Sequence, residues 1–154
     1  MAPPLLVVLS SLHRAMRQVT LHLEEALRGL PVQATEGHLL SFLARDSPTS
    51  CGELTRVFGV KPSTLTSLLD RLVARDLVTR EVDADDRRSF LVAPTAEGRR
   101  LARRIDRNVR AFEGRLRTRV SEVELRGFQA VMDAIAAETA VEVRAPRPRA
   151  PLQD

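Results

Sequence analysis

Tryptophan and tyrosine are missing from this chain of 154 residues, and aromatics make up only 3% of it. That argues against the usual single-strand nucleic-acid binders, which stack bases on aromatic side chains. A single cysteine, Cys51, excludes an internal disulfide framework and fits a reducing cytosol. There are three histidines. His13 and His22 are nine apart and so on opposite sides of a helix, and His38 stands alone, so no metal-ligand spacing arises. A Gly-rich phosphate loop, an HExxH and a GxSxG are all absent. The expectation is a protein that is not an enzyme and carries no cofactor or metal. The apolar run Leu5–Leu9 has no basic stretch before it and is far too short to span a bilayer. Neither a signal peptide nor a membrane segment is expected, and the chain reads as cytoplasmic.

What is present suits one soluble domain. Hydrophobic residues make up 44% and charged residues 29%, enough for a core without staples. The formal net charge is +4, and every basic residue but Lys61 is arginine. A first helix, opening near Pro3 or Pro4, carries Leu5, Leu9, Leu12, Met16, Val19, Leu23 and Leu27 at helical spacing and stops at Gly29 and Pro31. Its opening turns are apolar nearly all round, as a helix end buried against another subunit would be. A second helix covers about Ala34 to Arg45 and breaks at Asp46-Ser47-Pro48. Ser50 caps a short third helix to Phe58, ended by Gly59.

The stretch from Gly59 to Thr95 organises the rest. A helix from about Pro62 to Arg75 puts Leu65, Leu68, Leu69 and Leu72 on one face. Ser63, Thr66, Ser67 and Asp70 fall on the other, with Thr64 and Arg71 to one side. Small hydroxyl residues at a helix start suit entry into a DNA groove. Leu77–Val82 and Ser89–Ala93 read as paired strands around the charged tip Asp83-Ala84-Asp85-Asp86-Arg87-Arg88. Thr95 caps an Arg-rich fifth helix to about Val120. The capping box Ser121-Glu122-Val123-Glu124 opens a sixth, to about Val141. Residues 142–154 are rich in Pro and Arg and read as a flexible tail.

This order resembles the MarR family of bacterial transcriptional regulators. The resemblance rests on Leu39–Leu43, Gly52–Val60, Ser63–Leu72 with Asp76-Leu77-Val78, Arg80–Asp83 with Asp86-Arg87-Arg88, and Thr95–Gly98. Three positions depart from the pattern: Lys61-Pro62 stands before the recognition helix, Pro94 precedes Thr95, and Asp76 replaces a common Gly. The implied fold is mainly α with a small β wing. A winged helix-turn-helix at about 34–95 is flanked by dimerisation helices at about 5–29 and 96–141, in one domain over 1–141. The resemblance implies a homodimer on double-stranded DNA, with two lobes on a pseudo-palindromic operator whose half-sites lie about one helical turn apart.

On that reading Lys61, Ser63, Thr64, Thr66, Ser67 and Arg71 meet the major groove or its phosphates, Arg87 enters the minor groove and Arg88 touches a phosphate. Asp70 and Asp86 hold Arg80 and the tip arginines in position. The resemblance further implies a repressor released by a small, often phenolic, organic anion. Its pocket is expected from His13, Arg14, Met16, Arg17, His38, Phe42 and Arg104. Two alternatives stay open. One is a redox-responsive regulator using Cys51 at a helix N-terminus. The other is a dimeric ligand- or protein-binding module that has lost operator binding.

Overall fold

The computed structural model describes residues 7–84, 86–87 and 89–139. Along the chain run α1 (Val7–Ala26), α2 (Ala34–Leu43), β1 (Thr49–Ser50), α3 (Cys51–Phe58), α4 (Pro62–Ala74), β2 (Val78–Val82), β3 (Phe90–Pro94), α5 (Ala96–Arg117) and α6 (Glu122–Thr139). The expected start of the first helix, the end of the sixth at Val141 and the C-terminal tail lie outside the described residues. The fifth helix stops at Arg117, short of Val120.

The sheet is antiparallel in the order β1-β3-β2. β2 and β3 pair from Val78↔Pro94 to Val82↔Phe90. β1 was not expected. It pairs Thr49 with Val92 and Ser50 with Leu91, and two residues are too few to show an alternating pattern. Pro94, one of the positions that depart from the family pattern, does not interrupt the hairpin, because pairing with β2 continues through it. Pro94 is the last residue of β3, beyond the reach of β1, and a missing N–H is tolerated at a strand end.

Local chemistry fixes most element ends. Ser50 Oγ accepts from the Glu53 amide at 3.2 Å. Thr95 Oγ1 accepts from the Gly98 amide at 3.0 Å and donates to the Asp76 carbonyl at 2.7 Å. Ser121 and Glu124 exchange side-chain-to-amide bonds, at 2.7 and 3.3 Å. The bond from the Ser121 amide holds the Glu124 carboxyl below its ordinary pKa. After α4 the chain reverses through Asp76 at φ 53°, and the Leu77 amide donates to the Leu72 carbonyl at 2.9 Å. Glycine is usual at such a left-handed turn, and a short acidic side chain is among the few others that tolerate it.

The core lies within the lobe. Leu39, Leu40 and Leu43 of α2, Leu54 of α3, and Leu65, Leu69 and Leu72 of α4 pack with Leu77, Val78, Val92, Leu101 and Ile105. α1 and α6 bury no residue at all. Two carboxylates sit inside this apolar body. Asp106 of α5 accepts from Arg45 Nη1 at 2.7 Å and from Arg110 Nε at 2.5 Å. Burial pushes its carboxyl up, but the two arginines outweigh burial and hold it below the usual range. Glu36 of α2, 1% exposed, accepts from Arg71 Nε at 2.7 Å and from the Gln33 amide at 2.9 Å, and Arg75 Nη2 lies 2.8 Å away. Burial would raise its pKa. The bonds from Arg75, Arg71 and Gln33 win and bring it from 4.5 to about 2.

Two outcomes follow from this packing. A Cβ at Gly98 would lie 2.0 Å from the Leu77 carbonyl oxygen, a backbone atom that cannot swing away. Gly98→Ala therefore costs about 3 kcal/mol in urea unfolding, the upper part of the overpacking range; an unchanged midpoint would contradict this close approach. Because the folded-state pKa of Glu36 is depressed, its contribution is complete above pH 4.5 and is lost as pH falls toward about 2. Glu36→Gln should lower stability by roughly 2–3 kcal/mol at pH 7. The deficit should shrink between pH 4.5 and pH 3. A deficit that stays constant across that window would show that charge is not its source.

Candidate nucleic-acid interface

α4 turns Ser63, Thr64, Thr66, Ser67 and Asp70 outward while its leucines close the core. Ser63, Thr64 and Thr66 are exposed and stand at the start of the helix. Ser67 Oγ donates back to the Ser63 carbonyl at 3.1 Å, so its lone pairs are what it can offer a partner. Lys61 occupies the N-cap position without a side-chain cap bond, and Pro62 follows it. The first-turn amides of α4 are thus uncapped beside an exposed ammonium, a favourable setting for a phosphate.

Arg71 differs from the expectation. Its Nε is committed to buried Glu36, so it braces α4 against α2 instead of standing free at the groove. Asp70 meets Arg80 of β2, whose Nη1 lies 2.6 Å from Oδ1. This pair joins recognition helix to wing and neutralises the acid on the exposed face of α4. Arg87 is exposed in the loop between β2 and β3. That loop is closed by the Asp83 amide donating to Ser89 O at 3.0 Å and the Ser89 amide donating to Asp86 O at 2.8 Å. Arg88 lies outside the described residues. Cys51 is half-buried against the core at the first turn of α3.

The expected effector residues are not brought together. A cleft of about 360 Å³ opens between α1, α2 and α5, and of those residues only His38 lines it. Thr20, Thr35, Ser41, Asp106 and Asn108 supply its other polar groups, over Leu23, Ile105 and Val109. His13, Arg14, Met16 and Arg17 are exposed on earlier turns of α1, and Arg104 is exposed on α5. Phe42 turns into the lobe, edge-on to Phe58 at 5.6 Å between centroids. Sequence reasoning also missed Glu36 and Asp106. Gln33 and Glu36 do stand three apart at a helix start, as a capping box does, and Arg110 stands four after Asp106, but nothing local marks Arg71, Arg75 or Arg45, which come from distant segments.

A family model described as the MarR family matches residues 28–89, from the connector after α1 to the wing. The HTH-type transcriptional repressor Rv2887 of Mycobacterium tuberculosis (strain ATCC 25618 / H37Rv) is 28% identical over 113 residues, covering 73% of this chain and 81% of that protein. The crystal structure of a MarR-family transcriptional regulator from Rhodococcus sp. RHA1 gives a TM-score of 0.74 at 25% identity, over 88% of this chain and 96% of that one. The S. aureus MepR–DNA complex shares the fold, with a TM-score of 0.77 at 21% identity over 84% and 96% of the two chains. The matched lobe carries an outward-facing recognition helix and a wing, so residues 28–89 are similar to the MarR family of transcriptional regulators, and the likeness in fold extends over the flanking helices.

Proposed function

We propose that two copies of this chain form a repressor that grips a pseudo-palindromic operator, one winged lobe on each half-site. The observation that carries this reading is the recognition surface. A row of small hydroxyls on α4 lies beside exposed Lys61 and shares the lobe with exposed Arg87, while the one acid of α4, Asp70, is held by Arg80. Ser63, Thr64, Thr66 and Ser67 address the major groove, Lys61 a phosphate, and Arg87 the minor groove. Arg71 acts as a strut, not a reader. Dimerisation explains α1 and α6. Val8, Leu9, Met16, Val123 and Phe128 are each about half exposed or more in the lone chain, and a second copy covers such faces.

The described residues include no helix long and apolar enough to cross a membrane. We place the protein with chromosomal DNA in the cytoplasm. A small effector that enters the cleft between α1, α2 and α5 would shift the spacing of the lobes and release DNA. Among the residues lining that cleft, His38 alone can carry positive charge, and Asp106 brings a carboxylate. With that carboxylate held by Arg45 and Arg110, the lining offers an effector hydrogen-bonding groups over an apolar floor.

Binding measured by fluorescence anisotropy on an operator duplex tests this. Arg87→Ala should weaken binding about tenfold or more with folding and dimer intact; affinity within about twofold of wild type would remove the wing from the interface. Lys61→Ala should weaken binding to all sequences alike and reduce the salt slope by about one unit. An unchanged slope would mean that Lys61 neutralises no phosphate.

A further inference from the structure

Three of the phenylalanines have ring partners: Phe42 and Phe58 meet each other, and Phe112 lies 4.5 Å from His22. Phe128 belongs to the apolar face of α6. Phe90 is different. It sits on the lobe, away from the terminal helices, and is 45% exposed. Its cross-strand partner Val82 is 56% exposed, so the pair leaves a bare apolar step in water.

Strand alternation fixes where this step faces. Residues two apart on a strand share a face. Val82 therefore lies with Arg80 and Val78, and Phe90 with Val92 and Pro94. Val78, Val92 and Pro94 are buried in the core. Arg80 comes next, reaching across to Asp70 on the outward side of α4. Val82 and Phe90 come last on the same face, just before the loop that carries Arg87. The inner face of the hairpin thus begins in the core, passes the flank of the recognition helix, and runs on uncovered between that helix and the wing tip.

A duplex with α4 in its major groove and Arg87 in the adjacent minor groove has one sugar–phosphate strand between the two. That strand must pass the notch bounded by Arg80, Val82 and Phe90. Its phosphates seek cations, whereas its deoxyribose rings present carbon. We propose that Val82 and Phe90 form an apolar seat for the deoxyribose of this strand, an inference that rests on the winged-helix docking proposed above. Arg80 is the wall of the seat. Its charge is spent on Asp70, and its guanidinium carbon lies 5.8 Å from the Phe90 ring centroid. The seat reads no base. It fixes how deeply the wing sits, and because apolar burial releases no counterions its contribution is independent of salt.

The test compares wild type, Arg87→Ala, Phe90→Ala, Phe90→Leu and the double variant Val82→Ala/Phe90→Ala. All are titrated at several salt concentrations against one duplex, selected by the wild-type protein from a random pool. The double variant should lose about tenfold in affinity at every salt concentration, with a slope parallel to wild type. Phe90→Leu, which keeps apolar surface, should stay within about threefold of wild type. Thermal unfolding should report the same fold stability for each. Affinity within twofold for the double variant overturns the seat. So does a slope lower by about one unit, which would mean that the wing cation had been displaced. Equal losses for Phe90→Leu and Phe90→Ala also overturn it, because the ring would then serve only to orient Arg80. A change in oligomeric state of the DNA-free double variant, read by sedimentation, would assign the step to a protein contact instead. If Arg87→Ala binds normally while the double variant shows the parallel loss, the wing-tip assignment fails and the seat stands.

Discussion

A carboxylate enclosed in a leucine-rich lobe is costly to keep ionised unless cations are brought to it. Glu36 draws both of its arginines from a single helix. Arg71 on α4 and Arg75 at its C-cap stand four residues apart, so one carboxylate on α2 fixes both the rotation and the axial position of the recognition helix. Arg75 also donates to the carbonyls of Pro31 and Arg71, which ties in the connector that leaves α1. The outward row of hydroxyls on α4 therefore depends on a bond made on its far side. Removing the charge would leave the helix in place but loosen the angle at which it meets a groove.

Asp106 does similar work at the opposite end of α2. Arg45, just past the end of that helix, reaches it from one side and Arg110 from the other. α2 is thus pinned at its start to the recognition helix and just past its end to α5. The cleft beside it is lined by Asp106 itself and by His38 and Ser41 of α2. A molecule seated there would touch the one element to which both ends of the lobe are fastened.

The parts legible in the sequence are those whose causes are local. Caps at Ser50, Thr95 and Ser121, the leucine face of α4 and the charged loop all depend on neighbours within a few residues, and the order of elements follows from them. What stayed hidden depends on residues far apart. Arg71 reads as a surface cation until Glu36, 35 positions earlier, is folded beneath it. Arg45 and Asp106 are 61 apart, and neither carries a mark of the other. The residues expected to line a pocket are, apart from His38, not those of the cleft, for a related reason. Helical spacing says which residues of α1 share a face but not where along its length α1 meets α5; Asn108 donates to the Ala26 carbonyl, near the end of α1 and well past His13 and Arg17.

The brevity of the sheet also determines how such a chain can associate. β1 offers an edge of two residues, and β2 a five-residue edge that includes Arg80 and Glu81. Neither is a template on which strands could be added without limit. Apart from the short step of Val82 and Phe90, most of the apolar surface left open lies on helices instead, chiefly on α1 and α6. Helix faces that cover one another about a two-fold axis are used up once a pair has formed, whereas strand addition always leaves another edge. The association proposed for this chain is therefore self-terminating, with a stoichiometry set by where the fold leaves its carbon uncovered.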